Sequence, residues 1–556
     1  MRERIALIAG PLILFLASTA AWGGSERLSS DLQSKAAARR AGDSVEVIVQ
    51  YKVTPTEAHH QKVASLGGML NRKMDFIRSA HYTVPSSAVV ALANDEDVAY
   101  ITPNRTLKKM LDITAQATNT AAAYSAYGLL GTGVGVAVID SGIYEGMDQW
   151  VNGSKGGSRI VYSQSFVGGT PTDQYGHGTH VAGIIGAQGI GTGYVGIASF
   201  ASLINLRVLD GTGSGSDSGV IAAIDAAIAL KSKYNIRVMN LSLGRPVYES
   251  SAKDPLCQAV EAAWKAGIVV VVAAGNDGRD NTYGTDGYGT IASPGNDPYV
   301  ITVGAMKTNG TYTRADDTIA SYSSKGPTLF DHTVKPDIVA PGNRITSAMH
   351  PKLALPDAYP ANWGTGYWYQ LSGTSMATPV VSGAAALLIQ QNPSITPDQI
   401  KAKLMRTASK NFPFSSTAVD PVTHISYTSY YDVFTVGAGY IDVLAAASDK
   451  TVATGAALSP SVSFNSATGQ VTMQSVNGKN VVWGSNVVWG SNVVWGSNVV
   501  WGSNVVWGSN VVWGSNVVWG SSSLRGFNVV WGSNVVWGSS TTDGAETDTL
   551  LINGEP

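Results

Sequence analysis

The chain has 556 residues, 44% of them hydrophobic and 14% charged, with 62 glycines and a net charge of −2. That length exceeds one ordinary core, so several domains are expected, and the composition excludes an intrinsically disordered chain. The near-neutral charge leaves no electrostatic case for nucleic acid, and the single cysteine, Cys257, excludes an intramolecular disulfide or a multi-cysteine metal site.

Residues 1–20 have the pattern of a secretory signal: Arg2 and Arg4, an apolar run over 5–16, then Ser18-Thr19-Ala20. The run is too short for a membrane anchor and is broken by Pro11, and no later stretch suits one. A secreted protein, released or held at the cell surface, is expected. Polar, Ala-rich residues 21–42 read as a linker. Strands are expected over 45–51, 81–84 and 98–102, and helices over 54–66 and 86–92, so 44–106 is a small α+β domain.

Residues 107–130 show little periodicity and read as a boundary, with a new domain from 120 to 447. Its first strand, 134–139, is continuously apolar, as in a parallel sheet buried on both faces. Further strands are expected over 203–209, 238–242, 268–274 and 299–304. Helices are expected between them over 180–186, 218–231 and 255–266, and this alternation predicts a doubly wound α/β sheet with function in the loops at the strand ends. A small-residue helix follows Ser375, with Pro379 expected in its first turn, where a helix makes no use of the N–H. Residues 448–479 read as a linker. Asn-Val-Val-Trp-Gly-Ser then repeats from Asn480, seven times in succession and twice more from Asn528, over 480–539, and 540–556 is an acidic tail expected to be mobile.

Four polar groups stand where chemistry is possible. Asp140 closes the first buried strand; His177 stands in Gly-His-Gly-Thr-His-Val-Ala-Gly; Asn276 follows Ala273-Ala274-Gly275; Ser375 opens a helix in Gly-Thr-Ser-Met-Ala-Thr-Pro. A serine hydroxyl needs a base, histidine suits best, and a carboxylate then orients the imidazole. A side-chain amide can stabilise the oxyanion. Each has a plainer reading: a strand-end Asp, a turn His or Asn, a helix-capping Ser. His180 reads as structural. A metal pair with His177 lacks a third ligand at motif spacing, so no metal site is assigned.

These four motifs, in the order Asp, His, Asn, Ser, resemble the subtilisin family of serine proteases over roughly 120–447. Val195-Gly196-Ile197-Ala198, the 239–244 and 335–342 segments and the Gly437–Asp442 stretch agree with it. The resemblance implies an α/β fold, endopeptidase activity on protein substrates, and a catalytic triad of Asp140, His177 and Ser375. It makes Asn276 an oxyanion-hole donor. It makes Ser242, Leu243 and Gly244 a substrate-pairing strand, and Ala273, Ala274, Gly275 and Ala292 the wall of the specificity pocket. It also makes 44–106 an inhibitory propeptide of ferredoxin-like fold; from the low-periodicity segment that joins it to the next domain, self-cleavage is expected between Arg105 and Thr120. No cofactor is expected. Family members often bind calcium after the histidine helix, but 187–194 offers no Asn or acid, and calcium wants six to eight oxygens.

An α/β-hydrolase is disfavoured because Ala377 replaces the second Gly of its motif and the triad order differs. A surface- or glycan-binding protein with a vestigial protease domain is the other alternative, against which all four polar groups are retained. The repeat suits a β-solenoid or stacked hairpins. If its valines point inward, nine Trp from Trp483 to Trp537 form an exposed ladder suited to polysaccharide or the cell envelope. A spacer without a fold, or a core built of the Trp rings, competes with that reading.

Overall fold

The computed structural model describes residues 27–29, 32, 43–104, 110–151, 156–189, 194–282, 284–364, 366–420, 422–465, 470–474, 481–482, 488–489, 492–495, 499–502, 504–507, 511–514 and 554–555. The expected signal at 1–20, the middle of the loop weighed for calcium and most of the tail lie outside them. The chain divides into two compact units, 1–108 and 109–556.

In the first unit β1 (Ser44–Tyr51), β2 (Met69–Met74), β3 (Ser79–Pro85) and β4 (Val98–Pro103) form an antiparallel sheet in the order β2-β3-β1-β4. Helices Glu57–Ser65 and Ala88–Ala93 complete a β-α-β-β-α-β order, the split β-α-β motif. Strand β1 alternates, with Val45, Val47, Val49 and Tyr51 buried, so period two sends every second side chain into one core. The expected linker 21–42 is not wholly a spacer: Leu28 bridges Ile101, and Leu28 and Leu32 are buried in that same core. Two apolar side chains in a polar stretch were enough to dock it.

The second unit opens with helices Met110–Ala117 and Thr120–Tyr127, where the sequence suggested a low-periodicity boundary over 107–130. Ala and Thr supply no strong periodicity, but Ala117 and Ala123 are fully buried, because close packing selects small residues. The main sheet comprises β5 (Gly135–Asp140), β6 (Ile160–Ser165), β7 (Ser202–Arg207), β8 (Ile236–Leu241), β9 (Val269–Ala273), β10 (Ile301–Lys307) and β11 (Thr318–Ile319). Their order is β11-β10-β9-β8-β5-β7-β6, with β12 (Ile338–Pro341) also paired to β10. All pairings are parallel except β10 with β11. The order reverses at β5, so the carboxyl ends of β5, β8 and β9 open onto one crevice, where doubly wound sheets place their ligands.

The helix Thr374–Gln391 is buried along nearly its whole length, hence its Gly-Ala composition. It begins at Thr374, so Pro379 lies in its interior and not in the first turn. The N–H that proline lacks would have bonded the Ser375 carbonyl; the Ser242 hydroxyl donates to that carbonyl instead, at 2.8 Å.

The stretch 448–479 is likewise more than a linker. Ala453, Ala457, Leu458 and Ser459 are buried, and strands Ser461–Asn465 and Gln470–Gln474 form a hairpin. Strand Val481–Val482 pairs antiparallel with Val488–Trp489, Asn492–Trp495 with Val499–Gly502, and Asn504–Trp507 with Val511–Gly514. Two repeat copies thus make one hairpin, with Trp495 opposite Val499 and Val493 opposite Trp501. Of the tail expected to be mobile, Gly554 and Glu555 are buried against the second unit. No helix among the described residues is long and apolar enough to cross a membrane.

Candidate active site

Asp140 is the last residue of β5 and is fully buried. One of its oxygens accepts the Ser141 N–H at 2.7 Å and the His177 Nδ1 at 2.8 Å. A carboxylate only accepts, so Nδ1 carries the proton and Nε2 is left as a lone-pair base. Burial disfavours the imidazolium, but the charge and hydrogen bond of Asp140 outweigh it, so the His177 pKa lies above the ordinary 6.5.

His177 is the first residue of the helix His177–Gly186. Its approach to β5 is set by Gly178, where a Cβ would stand 2.2 Å from the Gly142 carbonyl oxygen and 3.1 Å from the Asp140 Cβ. No other residue lets the helix start so close to the carboxylate. A second buried carboxylate, which sequence reasoning missed, holds this turn: Asp173. It accepts from Ser141 Oγ (3.0 Å), Tyr175 N–H (3.0 Å), Gly176 N–H (2.9 Å), Thr179 N–H (3.0 Å) and Thr179 Oγ (2.6 Å). Burial pushes its pKa up and these donors pull it back. The only trace in the sequence is an acid just ahead of a helix start, a common capping pattern.

His180, three residues on, serves packing. Its Nε2 faces the carbonyls of Ile345 at 3.1 Å and Tyr369 at 3.0 Å, on the paired strands β13 (Ile345–Ala348) and β14 (Trp368–Leu371). Burial lowers its pKa to about 3, so it stays neutral.

Ser375 is the second residue of its helix, and its hydroxyl donates to the Ser242 carbonyl at 3.1 Å. Ser242 Oγ returns a bond to the Ser375 carbonyl, and Asn240 Nδ2 donates to Ser242 Oγ at 3.0 Å. The serine–histidine hydrogen bond implied by the triad is not among the described bonds; the hydroxyl rests on Ser242, the residue expected to pair with substrate. Catalytic hydrogen bonds often form only in the complex.

Asn276 follows β9. Its Oδ1 accepts the Thr374 N–H at 2.9 Å and Thr374 Oγ at 3.1 Å. With the oxygen edge so committed, the NH2 edge is left to donate. The expected pocket residues also come together. At Gly275, φ is +107°, and a Cβ would stand 2.7 Å from Ser324 Oγ and 3.3 Å from the Ala292 Cβ. A Cβ on Gly244 would lie 3.1 Å from the same Ala292 Cβ. Ala292 N–H donates to the Ala274 carbonyl at 2.9 Å, and Arg245 and Ser293 exchange backbone bonds at 3.0 and 2.8 Å. Segments 242–244 and 273–275 therefore flank Ala292, with no charged side chain among these seven residues.

Known proteins are similar to this chain in sequence. A sequence model of the subtilase family matches residues 131–474. The serine protease AprX of Bacillus subtilis (strain 168) is 39% identical over 338 residues, 59% of this chain and 73% of AprX. Subtilisin E of the same organism is 33% identical over 420 residues, 74% of this chain and 93% of subtilisin E. An extracellular serine proteinase of Thermus sp. (strain Rt41A) is 36% identical over 344 residues, covering 60% and 72%. With Asp140, His177, Ser375 and Asn276 gathered at the carboxyl ends of β5, β8 and β9, and with a family model matched over 131–474, the chain belongs to the subtilase family.

Proposed function

We infer that the chain is a serine endopeptidase acting through an acyl-enzyme. The observation that carries this is the convergence of four polar groups from distant segments, each with its orienting partner in place. His177 Nε2 removes the Ser375 proton as Oγ attacks the scissile carbonyl. Asp140 stabilises the imidazolium, and Asn276 Nδ2 with the Ser375 N–H binds the oxyanion. His177 then protonates the leaving amine, and water repeats the sequence to release the acid. A substrate backbone N–H pairing with the Ser242 carbonyl competes with the Ser375 hydroxyl and releases it toward His177. The small residues around Ala292 suit an uncharged, large apolar side chain. None of these steps requires a metal or cofactor. Labelling by a fluorophosphonate that is lost in Ser375→Ala tests the assignment; casein hydrolysis by Ser375→Ala at the parental rate overturns it.

The unit 44–106 acts as a cleavable inhibitory propeptide. Supporting this are its separate core and its place ahead of the catalytic unit. Because 110–117 and 120–127 are helical, and a protease reads an extended strand, the cut falls within 105–109. Ser375→Ala should accumulate uncut in a host lacking other proteases; normal maturation there excludes autoprocessing. Secretion rests on the pattern of residues 1–20. The Trp repeat contacts polysaccharide or the cell envelope, a reading supported by the regular spacing of its Trp residues. Retention of the secreted protein on insoluble glycans, lost when 480–539 is deleted, tests it.

A further inference from the structure

Beyond the active site, the second unit contains a built receptor for a carboxylate, and the chain fills it with its own Glu555. Glu555 is only 1% exposed. One carboxylate oxygen accepts the Ser321 N–H at 2.8 Å and the Ser321 hydroxyl, and lies 3.2 Å from an Arg279 nitrogen. The Lys307 ammonium stands 3.9 Å from the other oxygen. The backbone is gripped as well: Glu555 N–H donates to Asn343 Oδ1 at 2.9 Å, and Asn343 Nδ2 donates to the Glu555 carbonyl at 3.0 Å. A Cβ on Gly554 would be 2.5 Å from both Ser372 Oγ and Arg344 Cγ, so this position lies flat against the wall.

A carboxylate leaves water only where charge and donors replace its hydration. Here Arg279 and two Ser321 donors do so at one oxygen, while the other has no hydrogen bond among the described residues and only the Lys307 charge 3.9 Å away; one amide side chain reads the backbone in both directions. Arg279 also pairs with Asp420 at 2.8 Å, so two cations face two carboxylates. The receptor grows from segments that build the active site. Arg279 lies three residues past Asn276, in a loop where Asp277 N–H donates to Ser324 Oγ and Gly278 N–H to the Tyr322 carbonyl. Asn343 follows Gly342, whose carbonyl accepts the Gly373 N–H at 2.9 Å, just ahead of Ser375.

We propose that Arg279, Lys307, Ser321 and Asn343 form a docking site for an acidic Gly-Glu segment, and that residues 554–555 are its occupant, latching the chain beyond the repeat back onto the catalytic unit. The segment 475–553, which carries the repeat, is then a loop held at both ends and not a free tail. The family match covers residues 131–474, so the receptor lies inside it and residues 554–555 lie beyond it. Cutting the loop should leave the distal piece attached.

The test uses the full chain in the Ser375→Ala background, so its outcome does not depend on the peptidase reading. A site for a sequence-specific protease replaces the interruption at 522–527, the loop is cut, and the products are separated by native gel filtration. The piece bearing Glu555 should co-elute with the catalytic unit, and Glu555→Ala and Glu555→Gln should release it at least ten-fold more readily. In the uncut chain, hydrogen exchange at the Ser321 amide should quicken at least ten-fold in Glu555→Ala. Equal retention or equal loss in parent and variants, or unchanged exchange at Ser321, overturns the latch.

Discussion

Two polar clusters in the second unit are each built on a buried carboxylate, Asp337 or Asp140, and differ in what they leave unfilled. One is the Lys335–Asp337–Lys401 group, all at most 1% exposed. Lys335 Nζ donates to the Val300 carbonyl and Asp337. Lys401 Nζ reaches the carbonyls of Pro298, Tyr299 and Val300 and the Ser459 hydroxyl, at 2.8–3.1 Å. Burial opposes ionisation of Asp337, but the two ammonium groups hold its pKa below the usual range. Both ammonium groups and the carboxylate are hydrogen-bonded within the fold, and the Ser459 hydroxyl donates to Asp337, so the cluster ties the sheet to the 448–460 stretch. The other is the Asp140–His177–Ser375–Asn276 group. There the Asp140–His177 and Asn276–Thr374 bonds are made, yet among the described residues neither the imidazole Nε2 nor the amide NH2 has a hydrogen-bond partner. Full satisfaction marks a structural cluster, and oriented but unspent valence marks a reactive one.

The sharpest way to break this comparison is to remove a reactive group. Ser375→Ala or His177→Ala should lower kcat by about 10⁶-fold, the magnitude known for subtilisin's own triad, with the unfolding midpoint of Ser375→Ala nearly unchanged. Asn276→Ala should lower kcat by about 10²–10³-fold, again the range known for the subtilisin amide, with KM little altered. A large change in KM instead would assign Asn276 to ground-state binding.

The structural cluster should behave oppositely. Lys401→Met strips one cation from buried Asp337 and should cost about 3–5 kcal/mol of stability, read by urea unfolding in the Ser375→Ala background. Its kcat, measured well below the unfolding transition, should match the parent; a fall of ten-fold or more would erase the distinction drawn between the clusters.

The last effect is in pH. Catalysis needs neutral His177, whose pKa is raised above 6.5, so the acid limb of kcat/KM should lie above pH 6.5. For stability the sign reverses: the protonated His177–Asp140 pair stabilises fully below pH 6.5, and that contribution disappears as pH rises through the raised pKa. His180 runs the other way. Its folded pKa of about 3 against an ordinary 6.5 means stability falls as pH drops from 6.5 toward 3, with a slope approaching about 1.4 kcal/mol per pH unit. Urea midpoints of Ser375→Ala and Ser375→Ala/His180→Gln across pH 3–7 should diverge in that slope.

Much of this molecule is legible in its local chemistry. Strands such as Gly135–Asp140 and Val269–Ala273 are unbroken apolar runs because both faces of a parallel sheet are covered, and that pattern can be read without a fold. The four reactive residues sit in short motifs at strand and helix ends, where the backbone itself demands Gly and small neighbours. What no local pattern could decide was which polar residues would meet. Asp173 resembles any helix-capping acid until five donors close on it. Pro379 resembles a first-turn proline until the Ser242 hydroxyl takes the carbonyl it leaves free. Ser459 and Glu555 lie in stretches that read as linker and tail, yet each completes a buried charge cluster formed by residues more than 50 positions away. Burial of a polar group is favourable only when partners from several segments arrive together, and that is a property of the packed chain, not of any window of its sequence.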